Sequence, residues 1–337
     1  MKFRRTLITA IIAVAAAGLA ATGSAGPIAI GPPTSSQIAY FSFDSRDKGL
    51  DVMLVKANGT GATNITHDGT AKQNVDPNWS SNGLKVAFTR YNTSGGSSIM
   101  VVNANGKGLV NLTGPAFNSR VLNIHPTFAP NGTIVFASNR DGNFDLYRIG
   151  LTVTNQLVRM TKTAAPVQNL DPDYSASGKL LVFSRATSLA THPAPAALYW
   201  MRSIPNSPAV QLTKPLAGKG DRGAAWSPDG RHIAFYSDRA GNNDLYMVDF
   251  AVAAAATVRQ PTQLTFTKAA DREPSWSPSG DSLVFLSDRS TYTELWMTSV
   301  IGMGPGPLPA WQVTSDKINK GAPDWQPFGP VPSTIVG

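Results

Sequence analysis

Cysteine is absent from this chain of 337 residues, and histidine occurs only four times. Without cysteine the chain has no disulfide bond, thiol nucleophile, thiolate metal ligand or lipid-modified cysteine. The histidines His67, His125, His192 and His232 are too far apart for a local metal-binding spacing. A Gly-x-Ser-x-Gly nucleophile elbow is missing too. The sequence therefore predicts no metal, no cofactor and no catalytic residue, although a Ser-His-Asp triad assembled from distant segments stays open.

Charge is sparse as well. Asp, Glu, Lys and Arg make up 15% of the residues, and the formal net charge is +8. Lys2, Arg4 and Arg5 supply three of the positive charges, and the others are scattered rather than gathered into a basic stripe. Because nucleic-acid binding uses a clustered basic surface, nucleic acid is not an expected partner.

The apolar run near the N-terminus, residues 7–21, is short for a membrane span, which takes about 20 residues. It follows a basic head and precedes the small residues Gly23, Ser24 and Ala25, which is the layout of a secretory signal peptide. We therefore expect residues 1–25 to be removed after Ala25. The mature chain is then periplasmic or extracellular, with no stable membrane span.

What the sequence does contain is an internal repeat. Six segments share an aromatic residue, in most cases with proline two residues earlier and with a short turn ending in glycine afterwards. The aromatic residues are Trp79, Phe128, Tyr174, Trp226, Trp276 and Trp325. Their spacings are 49, 46, 52, 50 and 49 residues, and about 50 residues is the length of a four-stranded propeller blade.

Each repeat predicts four short antiparallel strands, A to D, and strand A carries the aromatic residue. Strand B is apolar on both faces, as in Ile233-Ala234-Phe235, which is typical of a strand covered by neighbouring sheets on both sides. The first repeat begins at strand B, and the chain ends with a lone strand A around Trp325. The sequence thus predicts an all-β, six-bladed β-propeller over residues 37–326, closed by pairing of the last strand with the N-terminal blade. Residues 26–36 form a linker and residues 327–337 a tail.

The repeat that begins Trp226-Ser227-Pro228-Asp229-Gly230 resembles the repeat of TolB-type β-propellers, and the resemblance covers about residues 36–326. It implies an exported propeller that binds protein partners of the cell envelope. TolB itself carries a further α/β domain before its propeller, for which only about ten residues are available here, so we expect that domain to be missing.

The candidate ligand contacts stand five residues before each repeat aromatic: Asn74, Asn123, Asn169, Asp221, Asp271 and Lys320. Each opens strand A, the innermost strand of related propellers, so these six are predicted to ring a central funnel. Arg222 and Arg272 follow two of them and complete the predicted site, and a long B–C insertion carrying His192 shares their face. The alternative is that the Asn and Asp side chains only cap strand ends and hold channel water.

Two functions follow from these features. The first is an exported, non-enzymatic binding module that docks a protein segment or envelope component at the funnel, with carbohydrate as another possible ligand, and that works as a monomer. The second is a propeller enzyme, a polysaccharide lyase or a hydrolase, acting in the central channel. Histidines converging with a carboxylate would favour the second.

Overall fold

The computed structural model describes residues 36–44, 48–67, 72–114, 120–151, 156–187, 195–251, 258–301 and 307–327. All regular elements in these ranges are β-strands, and the ranges contain no helix long and apolar enough to cross a membrane. The predicted signal peptide, the linker up to residue 35, His192 and nearly all of the tail lie outside the described residues. Those predictions stay untested.

The 24 strands fall into groups of four antiparallel neighbours. The group containing both ends of the described chain consists of β24 (Lys320–Trp325), β1 (Gln37–Asp44), β2 (Gly49–Lys56) and β3 (Thr63–Asn64). The next two groups are β4 (Gln73–Trp79), β5 (Lys85–Tyr91), β6 (Ser97–Asn103) and β7 (Val110–Asn111), then β8 (Asn123–Phe128), β9 (Ile134–Ser138), β10 (Asp145–Ile149) and β11 (Val158–Arg159).

The remaining groups repeat this pattern. They are β12 (Gln168–Tyr174), β13 (Leu180–Ala186), β14 (Ala196–Arg202) and β15 (Val210–Gln211); β16 (Asp221–Trp226), β17 (His232–Ser237), β18 (Asp244–Asp249) and β19 (Thr262–Gln263); and β20 (Asp271–Trp276), β21 (Ser282–Ser287), β22 (Glu294–Ser299) and β23 (Ala310–Gln312).

The last strand pairs with the first. β24 lies antiparallel to β1, with Trp325 opposite Ile38. As the sequence predicts, a lone strand A from the C-terminal end therefore completes the group that begins with strand B. A single parallel pair, Leu50 opposite Gln73, connects this group to β4–β7.

Every strand A contains a β-bulge, in which two residues oppose one residue of strand B. In β4 the register runs from Val75 opposite Thr89 to Asn78 opposite Ala87, so Asp76 and Pro77 share a single partner. The residues opposite the six bulges are all aromatic and buried: Tyr40, Phe88, Phe136, Phe183, Phe235 and Phe285. Because a bulge leaves one residue out of the ladder, proline fits there without losing a hydrogen bond.

Hydrophobic clusters lie between successive groups. Ile99 of one group packs with Phe128 and Phe136 of the next, and this arrangement recurs along the chain. These contacts explain why strand B is apolar on both faces: each of its faces meets a different neighbouring sheet.

The group containing both chain ends has such a cluster on each side. Tyr40 and Trp325 pack with Leu295 of β22 on one side, and Leu54 packs with Trp79 and Phe88 on the other. The last sheet along the chain and the sheet β4–β7 are therefore both packed against the same terminal group.

Candidate functional site

A cavity of about 2250 Å³ lies between the strands A, β4, β8, β12, β16, β20 and β24. Its lining includes the first residue of every bulge, and all of them adopt a positive φ between 43° and 56°. These residues are Asp76, His125, Asp171, Gly223, Glu273 and Ala322. Left-handed backbone is uncommon for residues other than glycine and is typical of functional sites. A bulge also redirects a side chain, so four polar groups reach the cavity at these positions.

The six predicted ring residues stand two positions earlier. Their side chains are buried, with 0–1% exposure for Asn74, Asn123, Asn169, Asp221, Asp271 and Lys320. Lys320, Arg222 and Arg272 line the cavity, whereas the other five are not among its lining residues. Direct contact of those five with a ligand remains a prediction, and the structure gives them partners within the protein.

Five of these buried residues accept a hydrogen bond from an arginine that lies in or just after strand B of the same group, at 2.6 to 2.9 Å. The pairs are Arg90–Asn74, Arg140–Asn123, Arg185–Asn169, Arg239–Asp221 and Arg289–Asp271. Each guanidinium also lies 5.3 to 5.8 Å from the centre of the buried phenyl ring opposite the bulge. In the sixth group Lys320 provides the cation itself, 6.0 Å from the Tyr40 ring and 3.6 Å from Glu294.

Some ring residues also tie one sheet to the next. Asp145 of β10 accepts hydrogen bonds from Thr161 at 2.6 Å and from Asn169, which belongs to the following sheet, at 2.9 Å. Asp51 makes the same contacts with Thr66 and Asn74. The Asn of strand A and the Thr two residues after strand D therefore bind the same carboxylate and connect one sheet to the next.

One side of the cavity holds a charged cluster around His125. Its Nδ1 lies 2.6 Å from Asp171 Oδ1, and its Nε2 lies 3.7 Å from Asp76 Oδ2. Burial alone would lower the pKa of His125, but the two carboxylates outweigh it and raise the pKa to about 9. His125 is therefore an imidazolium at neutral pH, and it joins β4, β8 and β12 across the cavity.

The other side is formed by β16, β17 and β20. Burial raises the pKa of Glu273 to about 7, although its Oε2 accepts a hydrogen bond from the Ala322 N–H at 2.7 Å. Burial also raises the pKa of Tyr236, helped by Asp171 and Glu273, so its hydroxyl stays protonated. Arg222 and Arg272 supply cationic groups here.

Gly223 is the first residue of the fourth bulge, and the Tyr236 ring leaves no room for a side chain there. Its φ is +56°, and a Cβ at this position would lie 2.7 Å from Tyr236 Cε1. Any side chain on residue 223 would therefore displace the ring from the cavity wall.

We expect Gly223→Ala to lower the free energy of unfolding by about 2–3 kcal/mol, from backbone strain plus overpacking. Gly218→Ala is the matched control, because Gly218 has a φ of +75° but nothing within 4 Å of the added Cβ. It is expected to cost about 1 kcal/mol. Urea unfolding of both variants measures the difference, and equal losses would contradict a contact with Tyr236.

The other two histidines in the described ranges, His67 and His232, stand apart from this cavity. His232 lies 3.0 Å from the exposed Asp249, and His67 is exposed. Within the described ranges there is no group of three or more His, Asp or Glu side chains arranged to hold a metal ion.

The bulge residues were not anticipated from the sequence, although a signal for them exists. In five of the six repeats the positive-φ residue stands directly before proline, and in four it is Asp, His or Glu. Strict alternation along an unbroken strand would have placed the ring residues and the bulge residues on the same face. The bulge separates them, and in every strand A it lies opposite an aromatic residue of the neighbouring strand.

An all-β chain of successive four-stranded antiparallel sheets around a central cavity is a β-propeller. Residues 28–194 match the family model of the TolB beta propeller domain. Residues 28–194 therefore carry the TolB-type β-propeller repeat, as the sequence predicts.

Solved structures share this fold at low sequence identity. TolB from Acinetobacter baumannii is 20% identical, with a TM-score of 0.66 over 88% of this chain and 69% of that one. The putative TolB from Agrobacterium tumefaciens is 18% identical, with a TM-score of 0.57 over 88% and 99% of the two chains. Kuenenia stuttgartiensis hydrazine synthase is 15% identical, with a TM-score of 0.66 over 88% and 47%. Because an enzyme is among them, the fold does not choose between binding and catalysis.

Proposed function

We propose that this protein is an exported six-bladed propeller that binds a protein segment in its central channel. The observation that carries the proposal is the cavity of about 2250 Å³ into which the bulges direct polar side chains. Its volume exceeds that of a typical small-molecule pocket, about 300–1000 Å³. It therefore offers room for an extended stretch of peptide rather than for a compact metabolite.

A closed ring of six blades is the architecture that supports such a channel. Trp79 N–H of β4 donates to Asp324 Oδ2 of β24 at 2.6 Å, so the first and the last strand A along the chain are hydrogen-bonded to each other. Together with the β24–β1 pairing, this contact argues for closure without a free sheet edge. A rigid ring holds the channel groups in place before a ligand arrives.

Export is the second part of the proposal. It rests on the basic head, apolar run and small residues at the N-terminus. The partner would then be a protein or peptide of the cell envelope. A pulse-chase experiment that follows loss of residues 1–25 tests this part. Retention of the full-length chain in the cytoplasm would contradict it.

The sequence also predicts which end of the channel the ligand enters, namely the end with the B–C connections. Thr93 lies in such a connection, between β5 and β6, and Ala176 lies in an A–B turn, between β12 and β13. Both are exposed and both line the cavity. A bulky side chain at either position would narrow one mouth without disturbing the core.

We expect Thr93→Trp to reduce the recovery of bound peptides from a defined library of short synthetic peptides by about tenfold. This loss corresponds to about 1.4 kcal/mol of binding free energy. Ala176→Trp, the matched control, should leave the recovery within about twofold of the wild type. Unchanged recovery with both variants would exclude the channel as the binding site. A loss confined to Ala176→Trp would move the entry to the opposite end.

A further inference from the structure

Two arginines occupy a position of the repeat that is otherwise apolar or glycine. The residue after each buried ring residue is Val75, Ile124, Leu170, Arg222, Arg272 and Gly321. Val75 and Ile124 are buried, and Leu170 packs against a hydrophobic cluster. The position lines the channel in every repeat, but only in the neighbouring strands β16 and β20 does it carry a guanidinium.

The acidic residues beside these arginines are already occupied. Asp221 and Asp271 precede Arg222 and Arg272 directly, and successive residues of a strand point to opposite faces. Their carboxylates bind Arg239 and Arg289 at 2.6 and 2.7 Å. Neither carboxylate is therefore available to the arginine that follows it.

Within the described part of the chain, the Arg272 guanidinium makes no hydrogen bond and no ion pair, and it is only partly exposed. Glu273 follows it, but the Glu273 Oε2 accepts from the Ala322 N–H. The charge of Arg272 offsets part of the rise that burial causes in the pKa of Glu273, but its hydrogen-bond donors are left for a ligand that supplies an acceptor.

The opposite residues of strand B complete the arrangement. Arg222 lies across from Tyr236 in the β16–β17 ladder, and its Nη1 donates to the Gly220 carbonyl at 3.3 Å. The Tyr236 side chain lines the channel, and its hydroxyl makes no hydrogen bond to another described residue. Arg272 lies across from Leu286, which offers no acceptor. The Arg272 guanidinium and a neutral phenol hydroxyl therefore face the same wall as hydrogen-bond donors. Arg222 lies beside them near Asp171, where its charge adds to that of His125 in lowering the pKa of the carboxyl.

We infer that this wall of the channel binds a carboxylate of the ligand through Arg272 and Tyr236. The inference rests on the proposed function and adds to it the class of ligand, a peptide segment with an acidic group at this depth of the channel. Guanidinium groups bind carboxylates with charge-assisted hydrogen bonds, and a phenol that stays protonated adds a donor. The carboxylate belongs either to an Asp or Glu side chain or to a free C-terminus.

Short peptides separate these sources. The probes are an acetylated and amidated tri-aspartate peptide, its tri-asparagine counterpart, and a tri-alanine peptide with either a free C-terminal carboxylate or an amide. Calorimetric or NMR titration gives Kd for each peptide with the wild type. We expect one of the carboxylate peptides to bind about tenfold more tightly than its uncharged counterpart.

Arg272→Gln should raise the Kd of that carboxylate peptide about tenfold, and Tyr236→Phe about three- to fivefold, from the loss of a charged and a neutral donor. Arg202→Gln is the control, because Arg202 is exposed in β14, does not line the channel and changes the net charge equally. Circular dichroism melting confirms that each variant is folded.

The inference is overturned if neither carboxylate peptide binds better than its uncharged counterpart, or if Arg272→Gln and Arg202→Gln weaken binding equally. Library peptides that lose binding with Thr93→Trp but carry no acidic preference would leave the proposed function intact and reject this inference alone. If Thr93→Trp and Ala176→Trp both bind the library as the wild type does, the channel assignment and the inference are rejected together.

Discussion

Replacing Trp325 by alanine is expected to lower the free energy of unfolding by about 3–5 kcal/mol, the range for deleting a buried aromatic side chain. Its indole is 3% exposed and packs in a cluster with Ile38, Tyr40 and Leu295. The indole Nε1 donates to Ser36 Oγ at 2.9 Å, so the substitution also leaves a buried hydroxyl without its donor. All of these contacts join β24 to residues from other parts of the chain.

The loss should extend beyond the last strand. Because β24 completes the group that β1 begins, freeing it exposes the edge of β1 and the apolar face next to β22. Hydrogen exchange of the β1 amides should therefore accelerate together with that of β24. Urea denaturation at constant slope gives the free energy through the shift in midpoint.

Trp311→Ala provides the comparison. Trp311 lies on the outer strand β23 at the margin of the same cluster and is only partly buried, so its removal should cost less than half as much. Equal losses for the two tryptophans, or faster exchange confined to β24, would show that the terminal strand contributes no more than an ordinary surface strand. Closure of the ring would then fail as an explanation.

The strands and their pairing were predictable from the repeat, because its aromatic and apolar residues are the ones that pack between neighbouring sheets. An aromatic residue every 46 to 52 positions, with apolar strands after it, specifies sheets covered on both faces. The same regularity predicts that the strand around Trp325 pairs with the first strand, and Trp325 lies opposite Ile38. The strands and their pairing depend on residues at a fixed spacing along the chain, so a single sequence is enough to predict them.

The candidate site was only partly predictable for a physical reason. Asn74 lies at the start of strand A, as the sequence predicts, but its side chain binds Arg90 and Asp51 rather than facing the cavity. The bulge opposite Phe88 directs Asp76 to the cavity instead. A bulge is a property of two strands together, and periodicity along one strand does not reveal it. Arg222 and Arg272, which the sequence places directly after the two ring aspartates, both line the cavity.

Asp324→Asn is expected to remove part of the pH dependence of stability. The carboxyl group of Asp324 accepts the Trp79 N–H at 2.6 Å, the Asn78 Nδ2 at 3.2 Å and the Ser275 hydroxyl at 3.1 Å. Burial nevertheless raises its pKa from 3.8 to about 7, because these hydrogen bonds only partly offset the desolvation of the charge. The folded protein therefore holds this proton more tightly than the unfolded chain does.

The direction of the effect follows from that difference. The contribution of Asp324 to stability is fully present below the unfolded pKa of about 3.8 and is lost as the pH rises through about 7. Its size is on the order of 2–4 kcal/mol, since each pKa unit corresponds to about 1.4 kcal/mol. Asp173, whose pKa burial raises to about 6, changes stability in the same direction and is present in both proteins, as is Glu273.

Asparagine can make the contacts of the carboxyl group without carrying the charge. Asn78, at the equivalent position of the next strand A, already accepts the Phe128 N–H at 2.7 Å through its Oδ1. In Asp324→Asn the amide oxygen would accept the Trp79 N–H, and the amide nitrogen would donate to Ser275 Oγ.

Denaturation at pH 4 and at pH 8 measures the effect. Between these pH values the free energy of unfolding of the variant should rise by about 2–4 kcal/mol relative to that of the wild type. Asp249→Asn, at a side chain that is 84% exposed, should change stability by less than about 0.5 kcal/mol at both pH values. If Asp324→Asn instead loses stability equally at pH 4 and pH 8, the carboxylate is already charged in the folded protein and holds β24 to β4 as an ion.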